Sequence, residues 1–137
     1  MADVHDAITR SYNMSRIRSA NTKPELLVRK FLHAQGFRYK LHDKTLPGKP
    51  DLVLPKYKTV IFIHGCFWHG HYKCKYFVVP KTRTDWWLNK INANMVNDVK
   101  AVKALRKKGW KIITVWECRL KPAKAEKTLT LLLKKIF

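Results

Sequence analysis

Two kinds of side chain in this sequence are crowded closely enough to do chemistry together. Cys66, His71 and Cys74 lie within nine residues, and the third and last cysteine, Cys118, stands far downstream. Three cysteines cannot close a disulfide framework. Three thiolates and one imidazole do, however, make the closed tetrahedral set that holds structural zinc. Such a set leaves no open coordination position, so Zn²⁺ here is expected to stabilise the chain around it rather than to catalyse. The same stretch carries His64 and His69, and three histidines among eight residues are denser than packing requires. Upstream, one carboxylate, Asp51, follows the turn Pro47-Gly48-Lys49-Pro50.

Elements must bring these groups together. Thr22-Lys23-Pro24-Glu25 has capping-box spacing with Pro in the first turn, and Leu26, Leu27, Phe31 and Leu32 form a helical stripe closed by Gly36. Residues 37–41 and 51–54 read as strands, 55–58 as a hairpin loop and 59–63 as the returning strand. Pairing Leu54 with Thr59 sets Asp51 opposite Phe62. Residues 64–83 follow no period and hold the ligand-type side chains. A helix capped by Thr84 follows, with the stripe Leu88, Ile91, Met95, Val99, Val102 and Leu105, ended by Gly109. Residues 111–116 read as a strand and 123–136 as a helix carrying Leu129, Leu132 and Leu133.

The order α-β-β-β-α-β-α describes one α/β domain, 1–137, around a mixed sheet, with 1–20 as a short helix or arm. Strand 59–63, its long helix and strand 111–116 form a crossover unit with parallel strands. Cys66 and Cys118 therefore leave the same edge of the sheet, which converges the zinc set.

Composition bounds the partners. In 137 residues, 29 Lys+Arg face 9 Asp+Glu, a formal net charge of +20. The cations are spread along the chain, so the folded body is the expected surface for a polyanion, bound in a salt-sensitive way. With 46% hydrophobic residues the chain can fill a core, which excludes a disordered basic tail. No apolar run approaches the ~18 residues of a membrane span, and the N-terminus lacks a signal pattern, so a cytoplasmic, membrane-free protein is expected.

Pro50-Asp51 before a short hairpin resembles the metal-binding hairpin of the PD-(D/E)xK nucleases. The acid and lysine that complete that motif are absent; Phe62-Ile63-His64 stands in their place. A carboxylate and a backbone carbonyl can still hold Mg²⁺, which keeps most of its waters. The segment His64-Gly65-Cys66-Phe67-Trp68-His69-Gly70-His71 resembles the very-short-patch-repair (Vsr) DNA mismatch endonucleases. The likeness extends through Arg10-Ser11, Asn13-Met14, Leu46-Pro47-Gly48, Pro50-Asp51, Val60-Ile61-Phe62, Thr82-Arg83-Thr84 and Val115-Trp116-Glu117-Cys118.

That resemblance implies a restriction-endonuclease-like three-layer domain with a zinc-held recognition loop at 64–83. The implied monomeric enzyme nicks one strand of duplex DNA beside the thymine of a T·G mismatch left by deaminated 5-methylcytosine. A functional link to a cytosine-5 methyltransferase and to repair machinery goes with it. By the same resemblance, Asp51 and the carbonyl of Ile63 hold the catalytic Mg²⁺, and His69 activates water, oriented by Asp98. His64 and Glu25 surround the metal-bound waters, and Zn²⁺ takes Cys66, His71, Cys74 and Cys118, with the His71-to-Cys74 interval one residue longer than the family pattern. Phe67, Trp68 and Trp87, preferred over Trp86, form an aromatic wedge, with Met14 entering from the opposite groove. Two other readings stand beside it: a related nicking endonuclease with another DNA site or lesion, and a non-catalytic zinc-held DNA-binding module. Asp51 together with His64 and His69 argues against the latter, because binding phosphate needs no acid beside it.

Overall fold

The computed structural model describes residues 22–71, 74–75 and 78–137; Met14, Arg10-Ser11 and the expected arm lie outside them. Helix α1 (Lys23–Ala34) is followed by strands β1 (Lys40–Leu41), β2 (Leu52–Leu54) and β3 (Thr59–His64). Helix α2 (Thr84–Lys107), strand β4 (Lys111–Trp116) and helix α3 (Ala125–Ile136) complete the order. The sheet runs β1-β2-β3-β4, antiparallel except for the parallel β3–β4 pair.

Alternation along the strands builds three layers. Leu52, Leu54, Ile61, Ile113 and Val115 point to one face, where they pack with Val28 and Leu32 of α1 and Leu129, Leu132 and Ile136 of α3. Val53, Val60 and Phe62 point to the other and meet Leu105 of α2. His64 continues that second face, so the chemistry lies under α2. This is a mixed four-stranded sheet between helices, as expected.

The expected hairpin register holds: Leu54 pairs with Thr59, and Leu52 with Ile61. Its loop is a 3₁₀ turn, Pro55–Tyr57, closed by Lys58 at φ 50. The strand expected over 37–41 shrinks to its last two residues, because Phe37 turns into the core beside Tyr57 and Phe137 instead of extending the sheet. Thr84 does not cap α2: it is the first helical residue, and its hydroxyl donates to the carbonyls of Pro80 and Lys81. The buried stripe of α2 also differs. Ile91, Ala101 and Leu105 are buried, whereas Leu88, Met95 and Val99 are exposed. Ala101 faces inward because Gly48 approaches it so closely that a β-carbon there would lie 2.6 Å from the Ala101 methyl. Only a small residue fits between loop and helix.

Candidate active site and metal centres

The ends of β3 and β4 decide where the ligands meet. His64 is level with Trp116, so Cys66 leaves β3 and Cys118 enters the turn Glu117–Leu120 at the same edge. The loop between folds on itself: His69 N–H donates to Gly65 C=O, His71 N–H to Cys66 C=O and Cys74 N–H to His71 C=O. Ligand atoms of Cys66, His71, Cys74 and Cys118 then lie within 4.8 Å of one another. Cys118 Sγ is 3.4 Å from His71 Nδ1. Metal–ligand lengths of 2.3 Å to sulfur and 2.0–2.1 Å to nitrogen, set tetrahedrally, require about 3.6 Å. The donor set fits. Burial, with the neighbouring thiols, pushes the Cys66 thiol up to about 12. Trp116, at the end of β4, stacks flat on His71 at 4.0 Å and fixes its ring.

A second group forms beside it. His69 Nδ1–H donates to Asp98 Oδ2 at 2.6 Å, leaving Nε2 as the free acceptor. The rings of His64 and His69 stack at 3.8 Å and 4°. Ring lone pairs lie in the ring plane, so two parallel rings aim theirs side by side and do not converge on one ion. This arrangement favours proton transfer over metal binding. His64 is buried, its Nδ1 has no hydrogen-bond partner among the described residues, and burial followed by the neighbouring His69 pushes its pKa down to about 3.

The third group surrounds Asp51, whose Oδ2 accepts from Ile63 N–H at 2.7 Å. Burial pushes Asp51 up to about 6 against the help of that N–H, and Glu25 adds to the rise. Glu25 is 1% exposed, and its carboxylate does not reach back to close the capping box. Thr22 Oγ1 caps Glu25 N–H at 3.4 Å, while the Glu25 side chain turns to His42 Nε2 at 2.8 and 3.0 Å. Ligand atoms of Glu25, His42 and Asp51 lie within 4.8 Å of one another.

Asp51, Glu25, Ile63 and His69 share one cleft of about 450 Å³ with Phe67, Trp68, Asn94 and Glu117. Phe67, Trp68 and Trp87 meet at ring distances of 5.2 to 5.7 Å at its rim. Trp86 stands outward, 46% exposed, under the Arg83 guanidinium. Asn94 donates to the Trp68 carbonyl at 2.9 Å and ties the aromatic loop to α2.

His42 and Asn94 were not expected in the site. Extending the hairpin register one strand back would have found the first, since Leu41 pairs with Leu52 and brings His42 beside Asp51. Helical spacing would have found the second, four residues before Asp98 on the same face.

Comparison with known proteins agrees with this geometry. Residues 2–75 match the family model described as DNA mismatch endonuclease Vsr. The chain is 55% identical over 121 residues to the Type II nicking enzyme V.NmeAIP of Neisseria meningitidis serogroup A, covering 88% of this chain and 86% of the relative. It is 49% identical to the Type II nicking enzyme V.XorIIP of Xanthomonas oryzae, covering 81% of each. It is 46% identical to the DNA mismatch endonuclease Vsr of Escherichia coli, covering 88% of this chain and 77% of that one. Matched by that family model over residues 2–75 and by these relatives over most of its length, the chain belongs to the Vsr family of DNA mismatch endonucleases.

Proposed function

We propose that this protein is a Mg²⁺-dependent, zinc-stabilised endonuclease. It nicks one strand of duplex DNA beside the thymine of a T·G mismatch, in very short patch repair of deaminated 5-methylcytosine. One observation carries the reading: His69, paired with Asp98, lines the same cleft as Asp51, so an imidazole able to activate water and a carboxylate able to hold a metal share one space.

Asp51 and the Ile63 carbonyl would hold Mg²⁺, which supplies positive charge to a phosphate and its leaving oxygen. Asp98 keeps the His69 Nδ1 proton in place, so Nε2 accepts the proton of the attacking water. His64, neutral and stacked on His69, orients that ring without competing for the proton, and it faces the hydration shell together with Glu25. Zn²⁺ on Cys66, His71, Cys74 and Cys118 would hold the loop that carries His69 and the wedge. Phe67, Trp68 and Trp87 offer flat surfaces that replace stacking lost at a kinked step, and a mispaired step opens at lower cost than a matched one. Met14 is assigned to the opposite groove. The basic surface binds the phosphate backbone, and a cytosine-5 methyltransferase is the functional partner whose product creates the lesion.

The test is nicking of end-labelled duplexes with T·G, U·G, A·C or no mismatch, in varied flanks, with and without Mg²⁺. A single metal-dependent nick beside the T of T·G is expected. Equal nicking of a fully paired site would favour a site-specific nicking enzyme, and binding without nicking would favour a binding module.

A further inference from the structure

The reading of Asp51 as a metal ligand leaves His42 without a task, yet among the described residues it is the imidazole grouped with Asp51 and Glu25. His42 sits at φ 47, directly after β1, and its N–H donates to the Asp51 carbonyl at 3.0 Å. That turn throws the ring across to Glu25, where Nε2 lies 2.8 and 3.0 Å from the two carboxylate oxygens. Adjacent ligands at right angles on an ion with bonds of 2.0–2.1 Å stand about 3.0 Å apart. Nε2 and the Glu25 oxygens already have that separation, and Asp51 completes a set within 4.8 Å. Glu25 is almost fully buried, so the set is held by packing and not by chance at the surface.

We propose that His42 is a direct ligand of the catalytic metal, and that the Glu25–His42–Asp51 set makes the site receptive to a first-row transition ion such as Mn²⁺. The proposal rests on the reading of Asp51 as the metal acid, moves Glu25 from the hydration shell onto the metal itself, and adds the identity of the ion. Mg²⁺ takes oxygen donors and parts reluctantly with water, so an imidazole contributes little to its binding. Transition ions accept imidazole nitrogen together with carboxylate oxygen. On coordination, any proton on Nε2 is given up to solvent and the neutral ring keeps its proton on Nδ1, leaving the Nε2 lone pair to the ion.

The experiment uses the full-length, zinc-loaded protein, so that the cysteine cluster is already occupied. Free Mn²⁺ is followed by electron paramagnetic resonance, and Mg²⁺ by its competition with Mn²⁺. Wild type, His42→Gln, His42→Asn and Asp51→Ala are compared, with melting curves for each. Asn tolerates the left-handed backbone at this position, which guards against loss of fold. His42→Gln is expected to weaken Mn²⁺ binding by about tenfold while Mg²⁺ binding changes by less than about twofold, in line with their donor preferences. In the wild type, the bound Mn²⁺ should show a nitrogen coupling in its pulsed spectrum, a measurement that needs no variant.

Wild-type Mn²⁺ affinity in both His42 variants, with binding lost in Asp51→Ala, would overturn the His42 assignment and leave the Asp51 site standing. Equal loss of Mn²⁺ and Mg²⁺ would overturn it too, making His42 a positioning partner of Glu25. Unchanged binding in Asp51→Ala would remove the metal site itself. Absence of nitrogen coupling in the wild type overturns the proposal whatever the variants do.

Discussion

At the scale of single residues the site is a set of carboxylates and imidazoles whose burial decides their charge. Asp51 is moved up from an ordinary 3.8 to about 6, so the folded protein binds its proton more tightly than the unfolded chain. The stabilisation this gives is fully present below pH 3.8 and is lost as pH rises through about 6. Without Mg²⁺, Asp51→Asn should therefore be more stable than wild type at pH 7, by about 1–3 kcal/mol. The two should converge below pH 4, and urea titrations at the two pH values check this. Asp51→Ala should abolish nicking while binding to DNA at low salt persists or improves, since a negative charge near phosphate is removed. A second prediction concerns Asp98. Asp98→Asn removes the carboxylate that holds the His69 proton on Nδ1, and nicking should fall by about 10²–10⁴, the range of a general base. Affinity for T·G duplex should hardly move, and single-turnover nicking beside a binding titration separates the two. An unchanged rate would take His69 out of the chemistry.

At the scale of elements, the described residues of the loop after β3 form turns and bends without helix or strand, and Cys66, His71 and Cys74 of that loop cluster with Cys118. Structural zinc binding contributes directly to folding. Cys118→Ser should cost several kcal/mol and lower zinc content, read by thermal melting and elemental analysis. Full stability without zinc would mean that the cluster is four unrelated side chains. The loop also depends on α2: Gly70 at φ 58 lies so close to Met95 that a β-carbon would approach its sulfur to 2.7 Å. Loop and helix thus hold one another.

For the whole molecule, the charge of +20 makes affinity for any duplex a matter of phosphate contacts and salt. Mismatch preference has to come from elsewhere, and the aromatic rim of the cleft is the part able to tell a weak step from a strong one. Base–aromatic stacking is worth about 1–3 kcal/mol per base. Trp68→Ala should therefore weaken T·G binding by roughly one to two powers of ten, at 1.4 kcal/mol per decade, and change fully paired binding much less. Titrations against matched and mismatched duplexes, beside a melting curve, check the claim. Equal loss on both duplexes would return Trp68 to a packing role.

What the sequence determined by itself was whatever depends on neighbours along the chain or on topology. The hairpin register follows from loop length, and the meeting of Cys66 with Cys118 follows from two parallel strands joined by one long helix. The aromatic and histidine-rich segment was legible because its residue types are too dense for ordinary packing. Tertiary structure alone decided partnerships between side chains far apart in sequence. Glu25 satisfied a local capping pattern, yet its carboxylate went to His42, seventeen residues away, because burial demanded a stronger partner than a helix end. Trp116 belongs by sequence to a strand, and only the fold makes it the flat wall behind His71. The α2 stripe turned by part of a helical turn because Gly48 presses a loop onto Ala101, and that contact is invisible from the helix's own sequence. Periodicity describes one element at a time; which face is buried is settled by the shape of what packs against it.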